Sequence, residues 1–226
     1  MLIAILLAQS VGAQIMAAPT DMSPEARIAI APVAAAIAKV RQAQAALPPP
    51  KDDVEKLLRM RDLEQAARAG LGQIDVSKIP AADRKNAMTA VWQQIIPIDE
   101  ANQQALLAML PPEGWFTISR YGKDASNAAF LIVQHSSPDL WRRFVPVLEP
   151  LAAKGEVEGR AYALMYDRLS LSEGRKQRYG SQMKCEGGKW VPSPIEDPES
   201  VDQLRASVGL GPHADYLKQF ANDPPC

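Results

Sequence analysis

The chain has 226 residues, 25 Lys+Arg against 26 Asp+Glu, and 47% hydrophobic residues. A folded chain of this size buries about 70% of its extended surface, and its composition argues against an intrinsically disordered chain, collagen, a coiled coil or a disulfide scaffold. The near-zero net charge of −1 argues against a nucleic-acid domain, which carries a basic excess. Thirty-five alanines, with only 13 glycines and 6% aromatics, lean the chain toward helix, because alanine loses no side-chain entropy there.

Leu2 to Ala8 form a compact apolar run, and Val11-Gly12-Ala13 has the small residues that a signal peptidase prefers. Residues 1–13 are therefore expected to be a signal peptide, although no Lys or Arg precedes the run. The mature protein is expected to be periplasmic or secreted. A stable membrane span is not expected: it needs roughly 20 apolar residues, and residues 28–38 are closely flanked by Arg27 and Lys39.

Ser23-Pro24-Glu25 is a helix start: a capping hydroxyl, a proline in the first turn and an acid near the positive dipole end. That helix should run to Leu47, kinked or restarted at Pro32, and stop at Pro48-Pro49-Pro50. Asp52 or Asp53 caps the next, with Val54, Leu57, Leu58 and Ala66 at helical spacing and Gly70 and Gly72 closing it. A third starts near Pro80, and Pro97 bends or divides it before Leu110. Pro111-Pro112-Glu113-Gly114 is a break. The chain thus divides into a helical region, 14–110, and a helical domain with a β-hairpin, 111–226, either separate or continuous.

Beyond the break, helices are expected at 123–135, 139–153 and 157–169. Residues 175–195 are expected to form a hairpin about Gly187-Gly188, which sets Glu186 against Lys189 and Cys185 against Trp190. Further helices follow at 198–208 and 212–220. The fold class is mainly α: a multi-helix domain with one small hairpin in the C-terminal third.

The unusual polar residues lie in this second half. At about 100° per residue, Asp124, Asn127, Gln134 and His135 share one arc with Leu131. The stripe either faces water or lines a pocket. Asp167 and Arg168 end an apolar run that begins after Arg160, and a buried ion needs a partner. They form a structural pair or a cap, or Asp167 orients the His135 imidazole. Gln177, Tyr179 and Gln182 surround Gly180, with Gln177 and Tyr179 on one face if the segment is a strand and Gly180 as a candidate bulge.

Together, Gln134-His135, Asp167-Arg168 and Gln177-Arg178-Tyr179-Gly180-Ser181-Gln182 resemble an uncharacterised bacterial domain family. Trp190-Val191-Pro192, Pro194-Ile195, Val201-Asp202, Arg205, Gly209-Leu210 and Tyr216 continue the resemblance across residues 115–217. Ser181 stands where that family more often has threonine. Gly211 and His213 replace its commoner proline and aliphatic residue. The resemblance implies a mostly helical domain with a small hairpin and carries no assigned activity.

The sequence has no GxGxxG, Walker loop, GxSxG or HExxH, and only two histidines; neither a metal site nor a cofactor is expected. Cys185 and Cys226, the only cysteines, either pair in an oxidising compartment or stay as thiols. A bridge would be worth about 4 kcal/mol by loop closure. The leading expectation is a non-catalytic binding or interaction module. Asn127, Gln134, His135, Asp167, Arg168, Gln177, Tyr179 and Gln182 would line a pocket for a polar small molecule or peptide, Arg168 holding any carboxylate. The alternatives are a purely structural network, or a hydrolase or lyase with His135 as general base, Asp167 orienting it and Tyr179 as acid or oxyanion donor. N-terminal sequencing of the exported protein should begin between Gln14 and Pro19; an intact Met1 in the cytoplasmic fraction would contradict export.

Overall fold

A computed structural model describes residues 22–220. The expected leader and Cys226 lie outside the described residues. The capping logic holds for α1 (Pro24–Ala45), where Ser23 Oγ accepts from Ala26 N at 3.2 Å. Pro32 sits inside this helix without dividing it. Asp52, rather than Asp53, caps α2 (Asp53–Leu71), accepting from Glu55 N at 2.8 Å, and Glu55 reaches back to Lys51 N at 3.1 Å. The two caps satisfy donors that the first turn leaves open.

Gly70 explains how closely α1 and α2 cross. A Cβ there would lie 2.7 Å from Val33 Cα and 2.9 Å from Pro32 O, both backbone atoms that cannot swing aside. A short 3-10 turn, Val76–Lys78, leads to α3 (Arg84–Ala108). That helix begins later than Pro80 and continues unbroken through Pro97.

After the Pro111 break come α4 (Ile118–Tyr121), α5 (Lys123–Gln134), α6 (Pro138–Ala153) and α7 (Gly159–Ser172). The hairpin is shorter than expected: β1 (Met183–Glu186) pairs antiparallel with β2 (Lys189–Pro192). Its register matches the expectation, Cys185 opposite Trp190 and Glu186 opposite Lys189, because Gly187 and Gly188 take φ of 59° and 76° in the turn. Residues 175–182 are not strand, apart from an isolated bridge between Gln177 and Ile195. The chain closes with α8 (Val201–Ser207) and α9 (His213–Lys218). The fold is therefore mainly helical with one small hairpin. No described helix is long and apolar enough to cross a membrane.

Two apolar clusters form. One gathers Ala26, Ile30, Val33 and Ile37 of α1 with Ala67 of α2 and Val91 and Ile95 of α3. The other centres on Trp115, Phe116, α5, α6 and α7, with Trp115 edge-on to Phe144 at 5.1 Å. Leu57 of α2 and Leu106 of α3 enter this second cluster, so packing crosses the break at residue 111. α2 and α3 thereby reach both halves of the molecule.

Candidate functional site

On α2, Glu64 lies seven residues after Leu57 and three before Ala67, which places it on the buried side of the helix. Only 1% of it is exposed. A buried carboxylate needs compensation, and α5 supplies it: Glu64 Oε1 pairs with His135 Nδ1 across 71 residues of chain. Arg68, one turn along α2, adds Nη1 at 3.4 Å from the same oxygen. Its guanidinium forks onto Asp99 of α3, at 3.1 Å to Oδ1 and 3.0 Å to Oδ2, the geometry in which an arginine–carboxylate pair is strongest. Asn102, buried on α3, fixes the same junction by donating to Met60 O at 3.1 Å.

His135 is the C-cap of α5, its amide donating to Leu131 O at 3.2 Å. The last carbonyls of that helix would otherwise lack partners. Trp141 Nε1 donates to Val133 O and Arg168 Nη1 to Gln134 O, both at 2.9 Å. A cation at a helix C-terminus also suits the dipole. Gln103 of α3 donates to His135 O at 3.5 Å, and Gln134 Nε2 lies 3.5 Å from His135 Nε2. With Nδ1–H given to Glu64, the neutral imidazole keeps its lone pair on Nε2. The His135 side chain is 18% exposed, whereas that of Glu64 is 1% exposed. Burial, then the nearby charge of Arg68, pulls the Arg168 guanidinium below its usual pKa.

Asp167 does not orient His135. Its carboxylate is fully buried and spent on backbone amides: Arg178 N at 2.7 Å and Tyr179 N at 3.0 Å on Oδ1, Ser181 N at 2.9 Å on Oδ2. Successive residues on a helix point about 100° apart, so Asp167 faces the hairpin while Arg168 reaches α5. The strand alternation expected for Gln177 and Tyr179 is absent because this amide nest curls residues 178–181 around Asp167.

Gln177 is fully buried and structural in its bonding. Its Oε1 accepts from Gln182 N at 2.8 Å, and its Nε2 donates to Gln182 O at 3.0 Å and Ser193 O at 2.7 Å. Tyr179 packs its ring against Tyr162 and Tyr166, with centroids at 6.1 and 5.8 Å, and burial raises its phenol pKa. It forms no bond with His135, so the acid role expected for it has no geometry. The Gln182 side chain donates only to Ser181. Asn127 sits farther back on α5, beside Val157, Glu158 and Ala161.

Of the eight residues expected to line one pocket, Gln134, His135 and Arg168 meet at one place. Asp167, Gln177, Tyr179 and Gln182 form a separate lock, and Asn127 joins neither. Glu64, Arg68, Asp99 and Gln103 complete the His135 cluster from helices before residue 111. Their signal was the acid at an apolar register position on α2. Among the described residues no group of three or more His, Cys, Asp or Glu side chains could hold a metal ion.

A family model described as "Family of unknown function (DUF6624)" matches residues 51–223 of the chain. No curated protein and no solved structure matches. The matched segment begins just before α2 and contains both polar networks.

Replacing Asp167 with Ala should strand the amides of Arg178, Tyr179 and Ser181 and cost about 3–5 kcal/mol. Urea denaturation measures this, and a loss below about 1 kcal/mol would show that water or a shifted loop serves those amides equally well.

Proposed function

The chain belongs to the DUF6624 family, a family of unknown function, and we propose that it is an exported binding module, export resting on the apolar run and small residues of 1–13 and binding on the geometry of the site. The ligand is a polar small molecule or peptide held at His135, between α2, α3, α5 and α7. The observation that carries this reading is the pairing of buried Glu64 with His135 Nδ1, which leaves Nε2 as the ring nitrogen that carboxylate does not hold, on a side chain that is 18% exposed. The amide of Gln134 lies 3.5 Å from Nε2, while Gln103 donates to the His135 carbonyl and Arg168 to the Gln134 carbonyl at the same helix end. Amides and a fixed imidazole offer donors and acceptors in set directions, as polar ligands require. A site whose first contacts are already held by a buried second layer spends little of its binding energy on ordering.

The same pair supports a second reading. An imidazole held by a buried carboxylate has the arrangement of a general base. The nearest hydroxyl in sequence, Ser136 Oγ, donates to Val133 O at 2.6 Å, so the proton taken would come from bound water rather than from a serine. Glu64 replaces Asp167 as the orienting acid in this reading.

A thermal-shift screen of polar compounds and short peptides on the full chain tests the proposal, with a broad hydrolase screen run beside it. Compounds that stabilise the wild type should lose their effect in His135→Asn and keep it in Gln182→Ala, whose melting temperature should stay unchanged. Turnover abolished by His135→Asn would move the assignment to the second reading. Stabilisation that survives His135→Asn, or a site that binds nothing from either class, would overturn it.

A further inference from the structure

We infer that Arg168 anchors an oxyanion, carboxylate or phosphate, on the ligand bound beside His135, an inference that rests on the binding reading above. The two carboxylates of the cluster are already committed elsewhere. Asp99 takes the fork of Arg68, and Glu64 Oε1 takes His135 and the Arg68 nitrogen that also reaches Asp99, while Glu64 Oε2 is buried without a hydrogen-bond partner. Among the described residues no acid forms an ion pair with Arg168, whose only hydrogen bond runs from Nη1 to Gln134 O. Its planar face lies 5.6 Å from the Trp141 ring centroid. Stacking and one carbonyl leave most of the guanidinium N–H groups unused.

Those unused groups are half-buried but not sealed off. Arg59 Nε is a buried N–H without a partner, but no Arg168 atom shares that condition, so the free donors of Arg168 reach solvent. Arg205 gives the contrasting case of an arginine without an acid. It is 2% exposed, and it gives Nε to Gly211 O at 2.6 Å and Nη1 to Tyr179 O at 2.8 Å. Arg205 is consumed by the scaffold, whereas Arg168 presents its donors. A partly desolvated cation gains more from an arriving anion than a fully hydrated one does. The lowered pKa of Arg168 is consistent with the missing counter-charge. The planar fork suits two oxygens of a carboxylate or a phosphate.

The test uses the full chain in thermal-shift titrations with sodium phosphate and with sodium succinate, against sodium chloride at matched ionic strength. At about ten times Kd, the effective oxyanion should raise Tm by roughly 3–6 °C over chloride. A response to phosphate alone identifies a phosphate group, and one to succinate alone a carboxylate. Arg168→Gln should weaken the apparent affinity at least about tenfold. Arg168→Lys keeps a cation near Gln134 O and guards against a folding defect; it should fall between the two. The inference is overturned if neither oxyanion stabilises the wild type, or if Arg168→Gln and Arg168→Lys both respond as the wild type does. If neutral compounds still stabilise in a His135-dependent way, only the oxyanion inference falls. If His135→Asn changes no arm of either titration or screen, the binding reading falls with it.

Discussion

A carboxylate buried on α2 needs hydrogen-bonding and charged partners, and the partners of Glu64 organise the centre of the molecule. His135 answers it from the end of α5 and Arg68 from its own helix. Arg68 in turn draws Asp99 of α3 into the same network. Replacing such a pair by apolar residues often costs nothing, so its presence is weak evidence of added stability. Removing one member, by contrast, leaves an uncompensated ion and costs about 3–5 kcal/mol. The pair is better understood as specifying one arrangement. It joins the two apolar clusters at a chosen register, and it engages Nδ1 of the imidazole rather than Nε2.

α7 directs two adjacent charged residues to different parts of the molecule. Asp167 and Arg168 are neighbours in sequence but point about 100° apart around that helix. Asp167 gathers three amides of the segment before β1 and fixes it to the body. Gln177 ties that segment to Ser193 beyond β2, while Arg205 and Tyr216 close it by bonding to Tyr179 O and Ser181 O. Gly180 is part of this closure, with φ of 63° and a missing Cβ whose place lies 2.7 Å from His213 Nε2. With Asp167 held, Arg168 projects from a rigid helix toward α5. A guanidinium on such a support loses less freedom when a ligand arrives.

Much of the fold was legible locally. The Ser23 and Asp52 caps, the Pro48-Pro49-Pro50 stop and the Gly187-Gly188 turn each act within a few residues, so their outcomes follow from nearby chemistry. Pro32 and Pro97 misled only in degree: both lie within continuous helices. The site was half legible. Gln134, His135 and Arg168 stood out as polar residues on apolar helices, and they do meet. Asp167 and Tyr179 stood out for the same reason yet belong to the scaffold, because a carboxylate can be satisfied by backbone amides that no side-chain pattern announces. Glu64 was overlooked within a helix that otherwise looks plainly amphipathic. Its partner lies 71 residues away, and local periodicity cannot choose between distant partners.

The orientation of His135 is the point on which this account stands or falls. Long-range 1H–15N correlation spectra of the imidazoles, recorded on the wild type and on Glu64→Gln at a pH where His135 is neutral, measure it directly. The account predicts a proton on Nδ1 and a bare Nε2 in the wild type, with the pattern shifting once the carboxylate is replaced by an amide. A proton on Nε2 in the wild type, or spectra of His135 indifferent to Glu64→Gln, would contradict it.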